Sequence, residues 1–230
     1  MNREPVLKAI QARVEIAAGG PVALIAASKS QPATAVRELA AAGQRAFGEN
    51  YVQEALAKQR ELTDLDLEWH MIGPLQSNKC EEVARHFHWL QSLDREKLIA
   101  PLERARPEDM PPLNVLIEVN LDNEASKSGC APEQVSALAA KIAQARRLRL
   151  RGLMAIPEPT PDRGQRRAAF ARLRGMFEAL RREHAQVDTL SMGMSDDFEL
   201  AIQEGASMVR VGTALFGPRK REAGGGKREA

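Results

Sequence analysis

Short apolar runs alternate with longer amphipathic segments from one end of the chain to the other. The runs predict strands over residues 22–28, 45–48, 68–72, 88–92, 114–120, 150–156, 187–191 and 208–211. Between them, apolar positions recur at helical spacing over 33–42, 52–62, 79–86, 96–105, 132–145, 165–184 and 197–204, as expected of helices that bury one face. Strands that alternate with helices imply βαβ units and a parallel sheet. Eight such units in 230 residues favour a closed barrel over an open sheet, since one-domain (β/α)8 barrels typically run to about 250 residues. The amphipathic stretch 4–17 predicts an extra helix before the first strand. No linker rich in Pro, Gly or Ser divides the chain, so the expectation is a single α/β domain over 1–218. The remainder, 219–230, contains the Gly-rich charged run 224–230 and is expected to be a disordered tail.

Charge narrows the function. The 33 basic and 31 acidic residues nearly cancel to a formal +2, whereas a dedicated nucleic-acid binder carries a clear basic excess. The arginine-rich stretches 146–151 and 163–174 fall within amphipathic patterns and read as solvated helix faces. Cys80 and Cys130 have neither CxxC nor metal-ligand spacing, which points to a reducing compartment and to no metal site. Neither a signal-like N-terminal apolar core nor a membrane-length run is present, so the expectation is a cytoplasmic protein without membrane contact.

The polar residues cluster where a barrel builds its active site, just after the strands. There the chain carries Ser28-Lys29, Glu49-Asn50, His70 with Gly73-Pro74, Ser92 with Asp94, Asn120, Pro157, the run 191–195, and Arg210 with Gly212-Thr213. Such a mouth suits a ligand that is anionic, planar and able to take an amine. Lys29 ends an apolar strand. Partial desolvation there lowers an amine from its reference of about 10.4 toward the range a Schiff-base lysine needs; a lysine that snorkels to solvent is the competing reading. Gly212-Thr213 opens a short helix after the eighth strand, and the 191–195 turn follows the seventh. Exposed backbone amides at these two positions match the usual barrel phosphate site, with ordinary glycine turns as the competing reading. Ser195, followed by two aspartates, also reads as a helix N-cap. His70 fits either a ligand-facing or a hydrogen-bonded strand-end role, and Cys130 reads as a small packed thiol.

Long stretches of the chain, in order, closely resemble the YggS/PROSC family of pyridoxal 5′-phosphate (PLP) homeostasis proteins, which share their barrel with the N-terminal domain of alanine racemases. They are AASKS at 26–30, FGENYVQE at 47–54, WHMIGPLQSNK at 69–79, LIEVN at 116–120 with EASKSG at 124–129, RGLMAIP at 151–157, LSMGMSDD at 190–197 and VRVGTALFG at 209–217. The resemblance implies an alanine racemase-like barrel of PLP fold type III, with Lys29 as the lysine that forms the Schiff base. It makes Arg210 the group facing the pyridine nitrogen, where a permanently protonated guanidinium weakens the ring as an electron sink. Phosphate contacts fall on Ser191, Ser195, Gly212 and Thr213, while Asn50 and His70 line the mouth.

The resembling racemases present a second acid/base group, a tyrosine, together with a separate β-domain. Here the chain stops soon after the barrel and its only tyrosine is Tyr51, beside Asn50 at a predicted helix start where packing is the commoner role. A complete two-base site is therefore not expected. The leading expectation is a monomeric PLP-binding protein of intracellular PLP and amino-acid homeostasis without robust catalysis, with apo PLP-dependent enzymes as partners. A racemase-like enzyme and a phosphate-metabolite barrel with no Schiff base are the alternatives.

Overall fold

The alternating pattern closes on itself. In a computed structural model that describes residues 3–122 and 128–217, eight parallel strands pair in sequence order and the last pairs with the first. They are β1 (Ala23–Ala27), β2 (Ala46–Glu49), β3 (Glu68–Met71), β4 (Trp89–Leu93), β5 (Leu113–Glu118), β6 (Leu148–Met154), β7 (Thr189–Ser191) and β8 (Met208–Val211). The expected tail 219–230 and most of the EASKSG motif lie outside the described residues.

The helices are α1 (Glu4–Ala17), α2 (Ala33–Ala41), α3 (Val52–Glu61), α4 (Cys80–His86), α5 (Ile99–Ala105), α6 (Val135–Gln144), α7 (Arg163–Glu183), α8 (Phe198–Gln203) and α9 (Thr213–Phe216). Three stretches expected as single helices instead begin with a 3-10 turn, at Ser77–Lys79, Glu96–Leu98 and Pro132–Gln134. Helix α7 starts two residues before its expected position because the Asp162 side chain accepts from the Gly164 and Gln165 amides, capping it there. Helix α1 has the predicted bounds, and buries Leu7, Ile10 and Val14 at helical spacing. It packs against α8 and α9. No helix of the described residues is long and apolar enough to cross a membrane.

Period-two alternation divides the strands between two cores. Val209 and Val211 face the helices and join the large core that includes Phe47, Phe170 and Phe198. Met208 points the other way, into a small cluster inside the barrel with Ile25, Trp89, Leu116 and Met154. Above and beside that cluster the interior is polar. Ser191, His70, Gln91 and Arg210 are all buried, and two of them touch the cluster: the Gln91 amide donates to the Met208 sulfur at 3.2 Å and His70 stacks on Trp89. A bulge in β6 shifts the pairing with β5 between Leu150 and Gly152. Gly152 is required there, since its φ is +149° and a Cβ would lie 1.9 Å from the Thr189 carbonyl oxygen.

Candidate functional site

At the carboxyl ends of the strands lies a cleft of about 230 Å³. Strand β1 delivers Lys29 to it, half-buried, on a turn with an unusual backbone: Ser30 adopts φ 60°, a conformation that non-glycine residues hold only when the surroundings enforce it. The surroundings are visible. The Ser30 amide donates to Glu54 at 2.5 Å, and the Ser28 hydroxyl donates to Glu49 at 2.5 Å. Between these carboxylates sits the buried ammonium of Lys58, 2.7 Å from Glu49, 2.7 Å from Glu54 and 2.7 Å from the Ser28 carbonyl oxygen. Burial pushes the Glu49 carboxyl above its ordinary range, opposed by Lys58 and the Ser28 hydroxyl. Glu54 and Lys58, one helical turn apart on α3, were not among the expected site residues; their i, i+4 spacing was the available signal.

From β8, the strand paired with β1, Arg210 enters the cleft wall and is only 4% exposed. Its guanidinium donates to the Ser191 hydroxyl at 2.6 Å and to the Ala155 carbonyl at 3.0 Å. Burial pulls it down to about 10, opposed by Glu118 and Asp197, so it stays charged at neutral pH. Glu118, at the end of β5, is pushed up to about 7 by burial and by Asp94, against the pull of Arg210. One of its carboxyl oxygens is buried with no hydrogen-bond partner among the described residues.

The third wall comes from the loops after β7 and β8. The Ser195 hydroxyl accepts from the Gly212 amide at 3.3 Å and the Ala214 amide at 3.2 Å. It does not cap the following helix, as its sequence context suggested. Asp197 precedes α8 instead and its side chain accepts from the Met194 amide at 2.7 Å. Gly212 and Thr213 complete this wall, and a Cβ on Gly212 would meet the Ala27 carbonyl oxygen at 3.2 Å. Asn50 lines the cleft too, and its amide oxygen is buried without a partner among the described residues. Ile72, Ile156 and Met194 supply apolar surface, the last two at the exposed lip.

Six of the eight expected site residues thus meet in one cleft: Lys29, Asn50, Ser195, Arg210, Gly212 and Thr213. Two do not line it. Ser191 is buried behind Arg210 and holds it by hydrogen bond. His70 is deeper, stacked on Trp89 with ring centroids 5.4 Å apart. Its Nε2 is 2.7 Å from Glu68 and its Nδ1 is 3.0 Å from the Gln91 amide. Burial holds this imidazole below its ordinary range although Glu68 pulls the other way. Ser92 also turns inward to support structure, donating to the Gly73 carbonyl at 2.6 Å. Tyr51, expected to pack, is instead 63% exposed and outside the cleft. Cys130 is a buried thiol, pushed up to about 11 chiefly by that burial.

The donor set fits PLP. A lysine amine, a buried guanidinium in the same cleft, an Asn50 oxygen with no partner among the described residues and a glycine-lined turn with a serine hydroxyl match an aldehyde, a ring nitrogen, a phenolic hydroxyl and a phosphate respectively.

Comparison with known proteins agrees with this composition. The alanine racemase N-terminal domain family matches residues 7–220. A protein of Pseudomonas aeruginosa named pyridoxal phosphate homeostasis protein is 60% identical over 198 residues, 86% of this chain and 85% of its own. PipY of Synechococcus elongatus, solved with PLP bound, superimposes with a TM-score of 0.84 at 40% identity, covering 94% of this chain and 100% of that one. The alanine racemase of Corynebacterium glutamicum is similar in fold alone, at 21% identity and a TM-score of 0.63, covering 91% of this chain and 61% of that one.

Proposed function

The chain belongs to the pyridoxal phosphate homeostasis proteins of the alanine racemase N-terminal domain family, and on that premise we propose that it binds PLP in the mouth cleft, covalently through Lys29. The observation that carries this reading is the meeting of Lys29, Arg210 and the Ser195–Gly212–Thr213 turn in one cleft. When bound, the cofactor supplies an aldehyde that amines attack and a ring that draws electron density from a neighbouring bond.

The protein's own groups restrain that chemistry. Lys29 provides the amine, held in place by the Glu49–Lys58–Glu54 cluster beneath its turn. Arg210 donates hydrogen bonds and has no proton to give up at neutral pH. Facing the pyridine nitrogen, it keeps that atom unprotonated and limits the ring as an electron sink. Ser195, Gly212 and Thr213 hold the phosphate through a hydroxyl and backbone amides. Tyr51, exposed and outside the cleft, is not positioned as the second acid/base group of a racemase, which supports a carrier over a catalyst. Large exposed apolar side chains are few and scattered among the described residues, which supports a monomer. The proposed role is to hold PLP reversibly inside the cell and pass it to apo-enzymes.

The deciding experiment is borohydride reduction of the purified protein followed by peptide mapping. A visible absorbance band that bleaches, leaving a reduced adduct on Lys29, is the expected result. A Lys29→Ala protein that keeps a reducible adduct would overturn the assignment. A protein that stays colourless after PLP is added would favour a phosphate-metabolite barrel instead.

A further inference from the structure

A chain of hydrogen bonds runs down through the barrel core from the cleft to its opposite end. Arg210 donates to the Ser191 hydroxyl at 2.6 Å. The Ser191 hydroxyl donates to Gln91 Oε1 at 2.7 Å. Gln91 Nε2 is 3.0 Å from His70 Nδ1, and His70 Nε2 is 2.7 Å from the Glu68 carboxylate. Arg210, Ser191, Gln91 and His70 are buried, whereas Glu68, at the first position of β3, is exposed.

Proton bookkeeping gives this chain one direction. A guanidinium has no acceptor, so Ser191 must receive from Arg210 and turn its own proton toward Gln91. That fixes Oε1 on the Ser191 side. From the other end, the Glu68 carboxylate can only accept, so His70 places a proton on Nε2. The other charged or titratable neighbour of that pair is His88, whose Nδ1 accepts the Trp69 amide at 3.0 Å. A buried, neutral His70 then presents a bare Nδ1, which requires the NH2 of Gln91. Both ends demand the same orientation of the one amide that could otherwise flip.

We infer that Gln91 is a positioning residue: with Ser191 and His70 it forms a one-way relay that aims the Arg210 guanidinium at the cleft and anchors it to Glu68 on the far rim. Four donors in series connect a buried cation, hydrogen-bonded to Ser191 and Ala155 and not to the nearby Glu118 or Asp197 among the described residues, to a carboxylate on the far rim, so each bond polarises the next. The inference rests on the reading that Arg210 faces bound PLP, and its test is made first without the cofactor.

In the ligand-free full chain, nitrogen-15 correlation spectra of the histidine rings, with His70 assigned through His70→Gln, report the tautomer directly. The expected form at neutral pH is protonated on Nε2 alone. Ser191→Ala removes the link to Arg210, and its expected effect is a changed His70 ring signature two side chains away, with affinity for PLP lower by about tenfold, the worth of one hydrogen bond. Gln91→Glu is the second variant. A carboxylate at that position accepts from both sides, so His70 should become doubly protonated. A wild-type His70 protonated on Nδ1, an unmoved ring signature in Ser191→Ala, or a neutral His70 in Gln91→Glu would overturn the relay. A chain that has the expected tautomer and response but takes up no PLP would uphold the relay and overturn the cofactor reading.

Discussion

Lys58 holds the backbone of Ser28, its ammonium 2.7 Å from that carbonyl oxygen, so the residue before Lys29 is gripped by a second lysine. The two have opposite environments. Lys58 is buried and spends its three donors on Ser28, Glu49 and Glu54, which leaves no donor free for chemistry. Lys29 lines the cleft. One lysine is the clamp, and the other is what the clamp presents.

Lys58→Met should therefore be expensive. It strands the buried Glu49 carboxyl and releases both ends of the Ser28–Ser30 turn, so the expected loss is about 3–5 kcal/mol, as for other broken buried pairs. Urea unfolding measures it, and a loss below about 1 kcal/mol would mean that the cluster does not hold the turn.

Glu118→Gln should stabilise the protein at alkaline pH. Burial raises the Glu118 carboxyl from 4.5 to about 7, so the folded state resists its ionisation while the unfolded chain does not. The penalty is absent below about 4.5, grows through the interval and is complete above about 7, where it reaches about 3 kcal/mol at 1.36 kcal/mol per pH unit. The amide removes it. Unfolding at pH 8 and at pH 5 should show a gain that is large at the first and small at the second. An equal gain at both would assign the effect to packing.

Most of the fold was legible because the signals that define it are local. Strand order follows from the alternation of periods, and a residue just past a strand end reaches the mouth whatever else surrounds it; Lys29, Asn50 and Gly212-Thr213 were placed on that basis. The same rule misplaces His70 and Ser191. Both lie within strands, and strand position alone does not say in which layer of the barrel an inward side chain ends. Lys58 and Gln91 were missed for a related reason. A lysine on an amphipathic helix and a glutamine in WLQSL look ordinary until β1, β3, β7 and β8 come together around them.

Gly73→Ala should damage the cleft through backbone contact. A Cβ at residue 73 would sit 2.4 Å from the Asn50 carbonyl oxygen and 2.7 Å from its Cα, and neither atom can yield as a flexible side chain would. The expected result is a loss of about 1–3 kcal/mol together with weaker PLP uptake as Asn50 is pushed from the cleft wall. Gly175→Ala is the matched contrast, on an exposed face of α7 with no atom within 4 Å of the new Cβ. It should stabilise by about 0.5–1 kcal/mol through helix propensity and leave uptake alone. Calorimetry and titration on the pair separate the two effects; equal behaviour would remove the steric argument.

Acid should expose the histidines once Glu118 is silenced. Burial holds His70 and His88 below their ordinary value of 6.5, so on acidification the unfolded chain takes up protons that the folded chain refuses. Their contribution is full above about 6.5 and is lost as pH falls from there toward their folded values, at up to about 1.4 kcal/mol per pH unit for each. Glu118 has the opposite slope between about 7 and 4.5, because its folded form binds the proton first. In the wild-type protein the two slopes partly cancel across pH 5–6.5, and a shallow profile there would say little. In Glu118→Gln only the histidine slope of this opposing set remains, so stability should fall more steeply than in the wild type between pH 7 and pH 5.5. Parallel profiles for the two proteins would mean that Glu118 carries no such penalty, whereas a Glu118→Gln protein that loses no stability between pH 7 and pH 5.5 would mean that the core imidazoles are free to protonate in the fold, and the neutral His70 on which the relay depends would be lost with them.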